Sequence, residues 1–444
     1  MGSPRGGLTW HFGMGRELGF VFWAMVCVEA AFGSYMAIWP LWIQALGAPI
    51  AIVGLVLGSQ GLLRPLTLGP SAALAERFEA RTLISIARAI TGIGLITAAL
   101  ATHWTQLFIF VVAAAIGELA FPLTQSHLAA HAGEQRVRAF TLVFNVGPAA
   151  ALGLAPLLSG GLVAIRGMQA AFLVAAFWTT LSIVFFTRLS PSRDRVASAG
   201  SARSTYREAL RQPGVRPLIS LQFTTIFVLA LGISLIPTFL ADERAMDPAT
   251  ITILGSVAAI GSVSFGLIVT RMTALQRAPL VAIAIAVGLV VATMSIIAGS
   301  QLVWLIVIAF LGRGGLFSAW GLFIAAASEI ISERHRARMF AACEIAGGTA
   351  FSFAPILAGV LYTVRPDLPL LTAIVLGLSL IPALIVSQRR LRPRPPAAEP
   401  APDEEAPPTV EEQPVLVLVP PAAGPDAAVA DGATTPPPTK LSAR

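Results

Sequence analysis

Charge is scarce in this sequence. Only 12% of its 444 residues are charged, against 56% that are hydrophobic. A water-soluble chain of this length could not bury so much apolar surface, so that class is excluded. Cysteine is nearly absent. Cys27 and Cys343 both fall in apolar runs and read as small core residues, which leaves no disulfide framework or cysteine metal cluster. A Gly-x-x-x-x-Gly-Lys-Ser/Thr loop is missing, so the chain is not expected to hydrolyse nucleotide. No carboxylate pair, metal cluster or His/Ser arrangement recurs at catalytic spacing; an enzyme is not expected, nor a cofactor. The first apolar run is about 28 residues long, well beyond the ~7–15 of a signal-peptide core, so no cleavable leader is expected. Gly6 occupies the place where N-myristoylation wants Ser or Thr.

What the chain has is length in its apolar stretches. Twelve runs reach the ~20 residues that span ~30 Å of hydrocarbon as a helix. They lie at 18–45, 50–71, 83–102, 106–129, 138–164, 168–187, 217–240, 249–270, 279–299, 302–328, 339–363 and 368–387. They are too long for barrel strands and lack strict alternation, so an all-α membrane protein of twelve transmembrane helices is expected. The arginines are sorted by side. They crowd the N-terminal tail, alternate loops and the segment after the last run, while the opposite loops hold only Arg166, Arg244 and Arg365. By the positive-inside rule both termini are cytoplasmic, in a multi-pass protein of the cell (inner) membrane. The net charge of +7 is thus a topological signal, and no nucleic-acid partner is expected.

The sequence also repeats itself. Arg136-Val137-Arg138-Ala139-Phe140 returns as Arg336-Ala337-Arg338-Met339-Phe340, Gly147 as Gly347, and Ala155-Pro156-Leu157-Leu158-Ser159-Gly160 as Ala354-Pro355-Ile356-Leu357-Ala358-Gly359. Two similar halves of a hydrophobic chain imply two pseudo-symmetric six-helix bundles with a pathway between them. The expected order is a cytoplasmic N-terminal segment (1–17), a first bundle (18–187), a basic linker (188–216), a second bundle (217–388) and a Pro/Ala-rich disordered tail (389–444).

Local patterns add to this. The segment Ala72-Ala73-Leu74-Ala75-Glu76-Arg77-Phe78-Glu79-Ala80-Arg81, between the second and third runs, keeps the acid and the first and last arginines of a Gly-x-x-x-Asp-Arg-x-Gly-Arg-Arg pattern. Gly266 to Arg271 holds the matching place in the second half. Gly117, Pro122, the Arg136/Arg138 turn, Asn145-x-Gly147 and Ala155-Pro156-x-x-x-Gly160 follow in order. Over residues 18–387 the chain resembles the major facilitator superfamily, and its fifth helix is similar to the Gly/Pro-rich one of that family's proton-coupled exporters. The resemblance implies a monomer in which helices 1, 2, 4, 5, 7, 8, 10 and 11 line a cavity and 3, 6, 9 and 12 support it. It also implies a cytoplasmic gate, for which Glu76, Arg77, Arg81, Arg271 and Glu344 are the candidates.

Ionisable residues at mid-span are the strongest functional signal, because a charge there costs about 2.5–3.5 kcal/mol even on the lenient insertion scale. Glu29, Arg64, Glu118 and Arg313 qualify. Gln60, Arg64, Thr67 and Ser71 share one helical face, and Glu118 shares one with Gln125. With Asn145 these form the candidate binding set. Two roles compete for it. Glu118 or Glu29 would carry a coupling proton while Arg64 or Arg313 holds an anionic group; or Arg64 and Glu118 would form a static clamp. Arg88 reads as a residue that snorkels to the inner face, and His127 and His131 as a solvated loop face, a simpler account of them than a metal site. The expected function is a secondary active transporter of a small organic solute by alternating access, a proton-coupled exporter. An uptake permease for a small organic anion or sugar is the alternative, and a non-transporting membrane sensor the alternative of another class. The expected partners are the lipid bilayer, a small-molecule substrate and protons.

Overall fold

A computed structural model describes residues 10–68, 74, 78–190, 206–330 and 336–391. Glu76, Arg77, most of the linker and nearly all of the tail lie outside them. The twelve principal helices are α1 (Arg16–Tyr35), α2 (Ile50–Leu68), α3 (Ala80–Ala99), α4 (Trp104–Leu128), α5 (Arg138–Arg166), α6 (Gln169–Phe186), α7 (Val215–Arg244), α8 (Pro248–Arg271), α9 (Pro279–Gly299), α10 (Val303–Ser328), α11 (Arg336–Val364) and α12 (Leu368–Leu391). Among the described residues, eleven helical segments are long and apolar enough to cross a membrane, and Ile50–Leu63 is a shorter apolar stretch within α2. The protein is a multi-pass all-α membrane protein.

Several spans are not continuous, and proline chemistry explains most of the breaks. Proline has no N–H for the carbonyl four residues back, and its ring crowds that carbonyl. The first span turns after Tyr35 and resumes as Trp39–Ala45, where Pro40 stands four residues after Met36. The seventh turns after Ile233 and resumes as Ile236–Arg244, with Pro237 four residues after Ile233. In α4 the pieces are Leu107–Gly117 and Ala120–His131. Pro122 cannot donate to the Glu118 carbonyl, which accepts Phe121 N–H at 3.1 Å instead, a tighter turn than the α-helix. The tenth span breaks at Gly314, inside a run of three glycines in four residues. Pro156 and Pro355 sit inside α5 and α11 without ending them.

The helices pair in the same way in each half. In the first half α1 packs on α5 and α6, α3 on α4 and α6, and α2 on α4. In the second, α7 packs on α11 and α12, α9 on α10 and α12, and α8 on α10. Between the halves the main contacts are α2 with α11 and α5 with α8. These seams are close because glycines face backbone across them. A Cβ on Gly54 would run into the Pro355 carbonyl and one on Gly58 into that of Ser352. Gly160 similarly faces the Ala249 carbonyl and the Ile253 side chain. All of these approaches fall in the half of the bundle remote from the face where α1 begins and α12 ends. At that remote face Gln44 of the first half also reaches Asp242 of the second.

Candidate functional site

The central helix α1 carries Glu29. No residue from 17 to 44 is exposed, and Glu29 is partly accessible. Glu118 is also partly accessible and stands at the break in α4, immediately after Gly117. Gly117 lets α4 close on Thr91 of α3, whose hydroxyl donates to the carbonyls of Ala87 and Ala113. One turn before Thr91 is Arg88.

Arg88 does not snorkel to the surface. It is 9% exposed, and its Nε is buried without a hydrogen-bond partner. Glu118 and, more weakly, Glu29 lie within electrostatic range of it. Glu29 in turn feels both Arg88 and Glu118. The physical reason for the correction is packing: Arg88 shares the inner face of α3 with Ile84, Ala87, Thr91 and Leu95, all buried, so its stem has no route along a lipid-facing surface. The structure therefore gathers Glu29, Arg88 and Glu118 from three helices of one half. Below them Tyr35 packs at 5.4 Å, centroid to centroid, against both Phe110 and Phe172, which makes a rigid aromatic wall.

Other candidates lie apart. Arg313 ends the first piece of α10, partly accessible, with its guanidinium 5.4 Å from the Phe310 ring centroid. Among the described residues it forms no ion pair. Gln60 is half-buried on α2, in register with the fully buried Val53 one heptad earlier. Arg64 lies within α2, but its side chain is outside what the structure describes. Gln125 and Asn145 are exposed, Asn145 within the π-helical turn Leu142–Val146.

Of the gate candidates, Glu76 and Arg77 lie outside the described residues, and the other three are placed as follows. Arg81 donates to the Leu189 carbonyl at 3.3 Å and lies 3.7 Å from Glu79, so both contacts stay within its own half. Arg271 is exposed at the end of α8. Glu344 accepts the indole N–H of Trp320 at 3.0 Å, which joins α11 to α10. Gln222 was overlooked by the sequence reading. It is fully buried on α7, donates to the Cys343 carbonyl at 3.2 Å and leaves Oε1 without a partner. A lone Gln in mid-run was the available signal. The solvated reading of His127 also fails: it is 1% exposed and bonds Glu17 at 3.0 Å.

A family model described as the Major Facilitator Superfamily matches residues 21–324 and 218–427, which together cover nearly the whole chain. The chain belongs to this superfamily. No curated protein sequence matches it. Among solved structures it is similar to the nucleoside transporter NupG, with a TM-score of 0.64 at 16% identity over 84% of this chain and 99% of that one. It is similar also to a bacterial homolog of the human lysosomal transporter Spinster in an inward-facing, occupied conformation (TM-score 0.63, 20% identity, 85% and 93% covered). A third is a POT family transporter in complex with a thioalcohol-conjugated peptide (TM-score 0.65, 12% identity, 86% and 98% covered). At these identities the likeness is one of fold. In the scheme that the resemblance implied, Glu29, Glu118 and Arg313 would fall on cavity-lining helices. Arg88 comes from α3, a supporting helix in the scheme that the resemblance implied.

Proposed function

We propose that this superfamily member is a secondary active transporter that couples a small organic solute to protons by alternating access, working as an exporter at the cell (inner) membrane. The observation that carries the reading is the charged set Glu29, Arg88 and Glu118, drawn from three helices at mid-span, with Arg88 buried and both carboxylates partly accessible. A carboxylate there binds a proton readily when its cationic neighbour is engaged elsewhere, and releases it when that neighbour returns. The two halves, 18–187 and 217–388, act as rocking units. The seams α2/α11 and α5/α8 close the face remote from the termini. With the termini cytoplasmic, this is a conformation closed to the outside, in which the cavity exchanges solute and protons with the cytoplasm. Pro156 and Pro355 supply places where α5 and α11 can bend during the exchange.

The test is transport in proteoliposomes under an imposed pH gradient, with a panel of small organic solutes and an entrapped pH indicator. Solute flux should move protons and collapse with an uncoupler. Glu118→Gln and Glu29→Gln should lose gradient-driven flux yet keep solute exchange at equal concentrations. Uphill transport that persists in both variants would overturn proton coupling through this set.

One observation favours a second reading. Arg313 is a partly accessible cation with no acid partner among the described residues, and an anionic group on the solute would neutralise it. An organic-anion substrate should then lose binding in Arg313→Met while neutral solutes are unaffected.

A further inference from the structure

The first turn of α1, the helical piece Ala120–His131 at the end of the fourth span and the end of α6 meet at the face where α1 begins and α12 ends, away from the charged set at mid-span. Glu17 lies at the centre of this junction. Its Oε1 contacts His127 Nε2 at 3.0 Å and accepts the Ser190 N–H at 2.8 Å, and its Oε2 accepts the Ser190 hydroxyl at 2.9 Å. His131, one turn after His127, stacks on its ring with centroids 4.2 Å apart. One ligand atom from each of Glu17, His127 and His131 lies within 4.8 Å of the others.

We infer that Glu17, His127 and His131 form a binding site for a divalent first-row transition metal, with zinc as the fitting probe. The donor set is two imidazole nitrogens and one carboxylate oxygen, which suits zinc and its neighbours better than magnesium or calcium. Two of the three donors are already at the spacing of a coordination sphere, and the third lies within 4.8 Å of both. Ligand bonds of about 2.0–2.1 Å in a tetrahedron put neighbouring donors about 3.3 Å apart, and His127 Nε2 and Glu17 Oε1 are 3.0 Å apart. The outer contacts also prepare the ligands. His131 Nδ1 donates to the His127 carbonyl at 2.9 Å, which fixes the proton on Nδ1 and leaves the Nε2 lone pair for an ion. The two Ser190 bonds hold the carboxylate in place. His127 is buried, while the side chain of Glu17 is 24% exposed and His131 is exposed. An ion therefore has an entry path from the side of Glu17 and His131. A bound ion displaces the proton shared by Glu17 and His127. Because the ligands come from α1 and the piece Ala120–His131 while Ser190 follows α6, the metal would tie three helices of the first half together at one end.

The experiment uses the full-length chain purified without a histidine tag, with zinc measured after equilibrium dialysis. One zinc per chain is expected for the wild type, with affinity reduced more than ~10-fold in both His131→Ala and Glu17→Gln and unchanged in His103→Ala. Cobalt should give the visible absorption of a tetrahedral centre, lost in His131→Ala. His131 is exposed, so its substitution leaves the fold intact, and a matching melting temperature checks this. Absence of retained zinc in the wild type, or unchanged retention in His131→Ala, would overturn the site.

Discussion

Gln44 donates to Asp242 across 3.4 Å, and this bond joins the first half of the chain to the second at the face remote from the termini. The same Asp242 oxygen accepts the Tyr362 hydroxyl at 3.1 Å, so α7 and α11 are held together where the first half docks. Hydrogen bonds to a carboxylate contribute roughly 1.5–3 kcal/mol, less where water competes, and Asp242 is exposed. Asp242→Ala is therefore expected to shift the balance toward the state open at this face by up to ~10-fold. Spin labels on Ala45→Cys and Val364→Cys report it directly: the longer distance should gain population. An unchanged distribution would remove Asp242 from the closure.

The seam between α2 and α11 makes a sharper prediction. At Gly58 a methyl would meet the Ser352 carbonyl and the Ile356 side chain, whereas at Gly161 it meets nothing within 4 Å. Gly58→Ala should cost about 1–3 kcal/mol of the closed conformation through overpacking. Gly161→Ala should be neutral or gain up to ~1 kcal/mol of helix stability. Transport rate and melting temperature in detergent read both. Equal effects of the two substitutions would mean that the close approach does not matter.

Arg88 is expected to be structurally costly to remove. Taking away one member of a buried charged set leaves the others uncompensated, at about 3–5 kcal/mol. Arg88→Ala should therefore lower the melting temperature far more than Arg81→Ala, whose part-buried carbonyl bond and half-exposed ion pair are worth about 1 kcal/mol. Arg88→Lys should recover part of the loss. If Arg88→Ala melts like the wild type, the carboxylates do not depend on it.

The contrast between Arg88 and Glu118 shows what the sequence revealed. Helix number and the two-fold repeat were legible because spanning length and the 200-residue echo are properties of the chain itself. The depth of Glu29, Glu118 and Arg313 could be counted along their runs. Which face of α3 Arg88 occupies could not, since α3 mixes buried and lipid-facing residues and the resemblance assigned it a supporting role. His127 was misread for the same reason: its partner Glu17 is 110 residues away, and no local pattern joins them. The breaks at Glu118 and Met36 were present in Pro122 and Pro40, but a hydropathy run passes through a kink without registering it.

Asp247 gives a prediction about pH that is independent of transport. It stands at the N-cap of α8, where its Oδ1 accepts the Thr250 N–H at 2.9 Å and its Oδ2 the Thr250 hydroxyl at 2.6 Å. These bonds, the hydroxyl one foremost, hold its carboxyl below the usual carboxylate value. Folding therefore favours the ionised form. Its contribution is present above the unfolded pKa of about 3.9 and disappears as pH falls through the lower folded value. Asp247→Ala should cost about 0.5–2 kcal/mol at neutral pH, the usual worth of a cap, and the gap between variant and wild type should narrow on acidification below pH ~4. Melting curves of the two proteins over that range provide the measurement. A difference that stays constant down to the lowest pH would mean that the charge of Asp247 contributes nothing and that the cap acts through its shape alone.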